Sequence, residues 1–262
     1  LDGNSVAFHA QNVKASVDYK TKQGTFTTKN GLQKNDLPYL QYECYVDRFS
    51  WDMQNKLLAL QNSASTNGGG FENKPLKEII DLPQPGATFT SVHPSQDSLS
   101  FNSVNAKLNL NTNELTADGV YMIKSADAAV KPANSQIILH PGAQMDTIDK
   151  ADIVFNTETK LHSVKNARVH IQSGKMYSAN GYMDYKDMDG KITEVFFKDI
   201  TPATGYTVAY ADITKEEPLD LSTAFKFFGQ LMVSAPDSVM SFDGGVTLTM
   251  NCSESENPWL KF

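Results

Sequence analysis

The acidic stretch Asp184-Tyr185-Lys186-Asp187-Met188-Asp189-Gly190-Lys191-Ile192 is the segment most like a site for chemistry, because carboxylates before a glycine can wrap a calcium ion. With Gly190 at the sixth loop position, Asp187 and Asp189 fall at the third and fifth, as a calcium loop requires. Tyr185 and Phe196 then occupy the first and twelfth positions, where carboxylates are needed, so Asp189-Gly190 reads instead as a two-residue hairpin turn. Cys44 and Cys252 are far apart, and His9, His93, His140, His162 and His170 lack ligand spacing beside them. The two cysteines fit separate buried thiols better than a disulfide. The serines lack a Gly-x-Ser-x-Gly elbow, and Gly68-Gly69-Gly70 lacks the Lys-Ser/Thr of a phosphate loop. Acid pairs drawn from Asp184, Asp187, Glu194 and Asp199, or Glu43 with Asp47, are not fixed by spacing. No catalytic residue, metal or cofactor is assigned.

Aromatic side chains remain as binding candidates. Tyr177, Tyr182 and Trp51, exposed on a sheet face, could stack on sugar rings or contact lipid. Packed against one another beside the hairpin, Tyr177, Tyr182 and Tyr185 would instead be structural.

These residues sit in a chain of 262 with 40% hydrophobic and 20% charged residues, a folded composition large enough for a substantial core. The net charge of -7, with no basic stripe, argues against nucleic acid as a partner. No apolar run approaches the length that spans a bilayer as a helix. The ends, Leu1-Asp2-Gly3 and Trp259-Leu260-Lys261-Phe262, look like cuts through a longer protein, so flanking domains of the same parent chain are expected partners.

Period-two alternation recurs along the chain and predicts half-buried strands: Val13 to Tyr19, Tyr42 to Trp51, Val120 to Lys124, Ala128 to Val130, Ile137 to Leu139, Ala167 to Ile171, Ile192 to Phe197, Tyr206 to Tyr210 and Phe225 to Val233. Asn30-Gly31 marks a turn, and Asn180-Gly181 and Gly244-Gly245 mark bends. Residues 61–90, with Ser63 to Gly70, Pro75, Pro83 and Pro85, form an excursion or linker, with room for one helical turn at Lys77 to Ile80. It divides an N-terminal β segment, 1–60, from a C-terminal one, 91–262.

The strands repeat. Ala106-Lys-Leu-Asn-Leu-Asn111-Thr and Ala151-Asp-Ile-Val-Phe-Asn156-Thr share an Ala, alternating apolar positions and an Asn-Thr corner, and Val13 to Thr21 carries a looser copy with Asp18 in the Asn place. Ala106 to Val120, with its Gly119-Val120 step, and Ala151 to Asn166 resemble the repeats of the lipopolysaccharide-transport and organic-solvent-tolerance proteins of Gram-negative envelopes. Ser173 to Tyr182 is similar to stretches in large uncharacterised exported proteins of the Bacteroides group. The resemblance covers about residues 91–200 and carries over no catalytic residue. It implies an open, coiled jellyroll in the periplasm, associated with the outer membrane or on the cell surface, whose interior can hold acyl chains in some members.

The expectation is therefore an all-β chain of stacked short strands, as an open jellyroll or β-solenoid, with two β-sandwich domains as the alternative. The expected role is a non-enzymatic structural or assembly module of a larger cell-envelope protein, able to offer an apolar groove to lipid. The alternatives are a carbohydrate-binding module using exposed aromatics, and a polysaccharide-cleaving enzyme on a β-coil. The proline-rich excursion is expected to plug the interior, leaving a closed core with little bound lipid.

Overall fold

The computed structural model describes residues 6–29, 31–63 and 69–249, and the backbone of 260–261. The chain is all-β, and hairpins alternate between two antiparallel sheets. Those of the shorter, eight-stranded sheet are β1 (Val13–Asp18) with β2 (Gln23–Thr28), β5 (Arg48–Asp52) with β6 (Leu57–Gln61), β9 (Asn105–Asn109) with β10 (Glu114–Asp118), and β13 (Gln136–His140) with β14 (Gln144–Met145). Between them the chain crosses to the longer sheet to make β3 (Gln33–Leu37) with β4 (Tyr42–Val46), β7 (Ala87–Ser91) with β8 (Ser100–Ser103), and β11 (Ile123–Ser125) with β12 (Ala128–Lys131). The longer sheet then continues alone through β15 (Ile148–Phe155), β16 (His162–Ser173), β17 (Met176–Lys186), β18 (Ile192–Pro202), β19 (Thr207–Ile213), β20 (Leu219–Asp220), β21 (Phe225–Ser234), β22 (Met240–Leu248) and β23 (Leu260–Lys261). Two layers of open sheet stack like a jellyroll or sandwich, and no strand order closes into a barrel.

Alternation explains the layers. Leu58 and Leu60, Leu108, Leu115 and Ala117, and Ile137 and Leu139 leave the short sheet inward. They meet Leu37, Tyr42, Cys44, Phe89, Phe101 and Ile123 from the long one, in one continuous apolar core. The predicted strand Tyr42 to Trp51 is two strands: it changes sheets at Asp47. That corner is held because the Asp47 carbonyl accepts from Thr28 N at 2.9 Å and its carboxylate from Ser63 N at 2.8 Å. Val104 does the same between β8 and β9, beside Ser103 Oγ, which donates to Asn105 O and Asp118 O at 2.8 Å each.

The repeated polar corners are hairpin turns of one design. Asp18–Lys22, Asp52–Lys56, Asn109–Asn113 and Asn156–Lys160 each begin with a side-chain oxygen that accepts from backbone N–H groups inside the turn. Each ends on a residue in the left-handed region, with φ of 54°, 54°, 57° and 54°. The structural match to Asn156 is thus Asn109 rather than Asn111, two residues from the alignment the sequence suggests.

Beyond β14 the long sheet has no second layer among the described residues, and it curls. Tyr185 on β17 meets Phe242 on β22 at 6.1 Å, although three strands separate them in the sheet. Asn180-Gly181 does not bend the chain; it lies within the eleven-residue β17, where a Cβ on Gly181 would come within 2.6 Å of Val164 Cγ1. Gly244-Gly245 likewise runs inside β22, with Gly244 opposite Gly229.

Residues 71–80 of the excursion lie outside the sandwich, whereas 87–90 belong to β7 and carry Phe89 into the core. The excursion's α-helical turn, α1 (Leu76–Ile79), packs Leu76, Ile79 and Ile80 on Ala129 and Val154, the outer face of β12 and β15. The Lys131 Nζ fastens it by donating to the carbonyls of Phe71, Glu72 and Lys74 at 3.2, 3.1 and 2.8 Å. Residues 71–80 thus cover a sheet face rather than filling the space between the sheets. No helix among the described residues is long and apolar enough to cross a membrane.

Candidate binding site between the sheets

The short sheet starts one hairpin before the long one, so its β1–β2 end forms an overhang. The segment Ala7 to Ala10 and Tyr39, from the β3–β4 turn, cover this overhang only in part. A cavity of about 870 Å³ remains, lined chiefly by Val13, Phe26, Phe49, Trp51, Leu58 and Leu110. That volume lies within the roughly 300–1,000 Å³ typical of small-molecule sites.

Cross-strand pairing builds its wall. Phe26 stands opposite Phe49 across β2 and β5, with ring centroids 4.9 Å apart and planes 11° from parallel. Phe8 closes edge-on against Phe49 at 5.0 Å. Trp51 pairs with Gly24 on one side and Leu58 on the other. A Cβ on Gly24 would stand 3.0 Å from the Phe26 ring, so the glycine makes room for both aromatics. The Trp51 Nε1 is buried and has no hydrogen-bond partner among the described residues. The rim is polar: Lys56, Asn111 and Asn113 come from the two turns at this end of the short sheet.

Of the residues singled out from the sequence, only Trp51 reaches this cavity. Tyr177 is fully buried, which removes it from any exposed aromatic face; its hydroxyl lies 2.7 Å from Thr207 Oγ1. Burial also pushes its phenol pKa up. Tyr182 is 40% exposed, on the outer face of β17 in a separate cleft beside Phe196. The sequence does not single out Phe8, Phe26 or Phe49, because their partnership depends on pairing between distant strands. Their alternating positions were the available signal.

The turn at Asp189-Gly190 is longer than two residues. Asp187 N donates to Lys191 O at 3.0 Å and Gly190 N to Asp187 O at 3.1 Å, so three residues form the loop, with Gly190 at φ +88°. The Asp187 carboxylate accepts from Asp189 N and Lys191 N, and that of Asp189 from Thr223 N. Both acids therefore serve the backbone, and no cluster of three or more metal-ligating side chains forms among the described residues. Gly31 has φ +76°, whereas Asn30 and Cys252 lie outside the described residues. Cys44 is a buried thiol with no disulfide partner among the described residues, and burial raises its pKa.

Comparison with protein-family models, curated proteins and solved structures finds no match.

Proposed function

We propose that the chain is a non-enzymatic module of a larger cell-envelope protein that accommodates an apolar chain, such as a lipid acyl group, at the open end between its sheets. The observation that carries this reading is the aromatic cavity of about 870 Å³ at the overhang. Its wall is apolar and its rim polar, which suits an amphiphile with its chain inside and its head at Lys56, Asn111 and Asn113. Each methylene buried there contributes about 0.8 kcal/mol. The repeats resembling envelope transport proteins support the reading, and so does the packing of α1 on the outer face of the long sheet. Native mass spectrometry and lipid extraction of protein purified without detergent test the reading. Stoichiometric lipid that is lost when Val13→Trp fills the cavity is the expected result; a clean spectrum, with no uptake of added fatty acid, overturns it.

A further inference from the structure

The curled half of the long sheet contains a slot. β18 pairs with β17 from Ile192 to Ile200, but with β19 only from Asp199 to Pro202. From Ile192 to Lys198 it therefore has a strand on one side only among the described residues. The split follows from the curl: a register shift near Ala179 and Gly181 bends β18 away, while β19 stays with β21.

Both ends of the slot are tied. At one end lies the β18–β19 ladder; at the other, Met188 N donates to Leu221 O at 3.0 Å and Lys191 Nζ meets Asp220 Oδ2 at 2.9 Å. Between them is a cleft of about 600 Å³ floored by Val195 and Leu219. The bonded pair Asp187–Lys191 fixes the phase of the β17–β18 ladder. Alternation then turns the backbone N–H and C=O groups of Ile192, Glu194 and Phe196 into the slot.

On its lip, Tyr182 and Phe196 face each other across β17 and β18, 40% and 46% exposed, with ring centroids 5.2 Å apart and planes tilted by 55°. Lys198 forms an ion pair with Asp212 in the same cleft.

We propose that this slot is a binding site for a short, neutral oligosaccharide, distinct from the apolar cavity and independent of it. Sugar rings offer C–H faces for aromatic stacking and hydroxyls that both donate and accept. The site supplies the two exposed rings, an unpaired row of backbone donors and acceptors, and the side chains of Glu194, Lys198 and Asp212. The lysines pair with Asp212 and Asp220 and leave Glu194 and Glu217 on the lining, which disfavours an anionic ligand. An added peptide strand would use the same backbone edge, but it must run out past both ends, and both are tied. The lysine partners hold the carboxyls of Asp212 and Asp220 below the usual range, whereas a glycosidic general acid needs a raised pKa, so neither suits that role.

The test is calorimetry and a glycan array with neutral gluco-, manno- and galacto-oligosaccharides of roughly two to six units, about the reach of a ligand-sized cleft. Saturable binding weakened about tenfold or more by Tyr182→Ala and by Phe196→Ala, retained in Tyr182→Phe, and unchanged by Tyr206→Ala outside the cleft, is expected. Melting temperatures of these variants separate lost contacts from lost fold, and Lys198→Gln serves as a second probe that leaves both rings in place. No saturable binding up to about 1 mM, binding indifferent to these changes, or capture of extended peptides in place of sugars overturns the proposal. Lipid content does not enter the readout, so this site and the apolar cavity fail separately.

Discussion

Tyr177 donates its phenol proton to Thr207 Oγ1 across 2.7 Å in the core. The direction is set because Thr207 gives its own hydroxyl proton to the Asp127 carboxylate, which also accepts Thr207 N at 3.0 Å. This chain joins the β11–β12 turn to β17 and β19, and so ties the two-layered half of the protein to the curled half. Tyr177→Phe removes one hydrogen bond and should cost about 1 kcal/mol, whereas Thr207→Val also strands the phenol and should cost roughly 1–3 kcal/mol. Urea melts of the two variants check the order.

The same burial predicts a pH dependence. Tyr42 and Tyr177 have phenol pKa values raised by loss of solvent. A group with a raised folded pKa gives stability that is fully present below its unfolded value, about 10 for a phenol, and lost as pH rises beyond it. Stability should therefore fall above about pH 10. In a spectrophotometric titration, Tyr42 and Tyr177 should ionise only with unfolding. Comparison with Tyr177→Phe assigns the delayed component.

Much of this fold is legible in the sequence, since period two follows directly from strand geometry. The parity of β17 even separates two candidates: Tyr177 shares the inward face with Ala179 and Met183, while Tyr182 leaves by the other side. What alternation does not encode is which sheet a strand joins. The switch at Asp47 involves one ordinary residue within an unbroken pattern, and the bonds that fix it come from Thr28 and Ser63, far away in sequence. The apolar cavity was hidden for that reason. Its facing rings, Phe26 and Phe49, meet only once β2 pairs with β5 across the intervening β3–β4 hairpin. The slot was hidden by curvature, which local residue types do not encode.

Gly190 tests local turn chemistry. Its φ of +88° is costly for any residue with a β-branched side chain, although a Cβ there would meet nothing closer than Lys186 Cε at 3.7 Å. Gly190→Val should destabilise by roughly 1–3 kcal/mol through backbone strain alone. A denaturant-melt difference below about 0.5 kcal/mol would show that the turn relaxes freely. Millimolar calcium should leave the melting temperature unchanged, because one oxygen each of Asp187 and Asp189 is already engaged with backbone N–H groups and no cluster of three metal-ligating side chains forms among the described residues.

Lys131 governs the cover on the outer face. Its ammonium holds the carbonyls of Phe71, Glu72 and Lys74, so Lys131→Ala releases three acceptors at once. Residues 71–80 should exchange their amide hydrogens faster in the variant, while β4 and β7 in the core keep wild-type protection. Uniform acceleration across both regions would mean that the cover is part of the global unfolding unit.

The apolar cavity makes a prediction with opposite signs for two treatments. A ligand that binds the folded state alone stabilises it by mass action, by about 2.7 kcal/mol at a hundred times its dissociation constant. A long-chain fatty acid should therefore raise the melting temperature of the wild type, and the emission of Trp51, which lines the cavity, should shift with it. Filling the cavity covalently replaces that effect. Val13→Trp buries new apolar area against Phe26 and Phe49, so the ligand-free variant should melt at or above the wild-type temperature. The fatty acid should then add nothing, because the space is taken. A variant that melts lower and still responds to fatty acid would place binding elsewhere on the protein and leave the overhang a packing defect. An unresponsive wild type would remove the lipid reading altogether. The two melts with and without ligand, read beside the Trp51 emission, separate these outcomes.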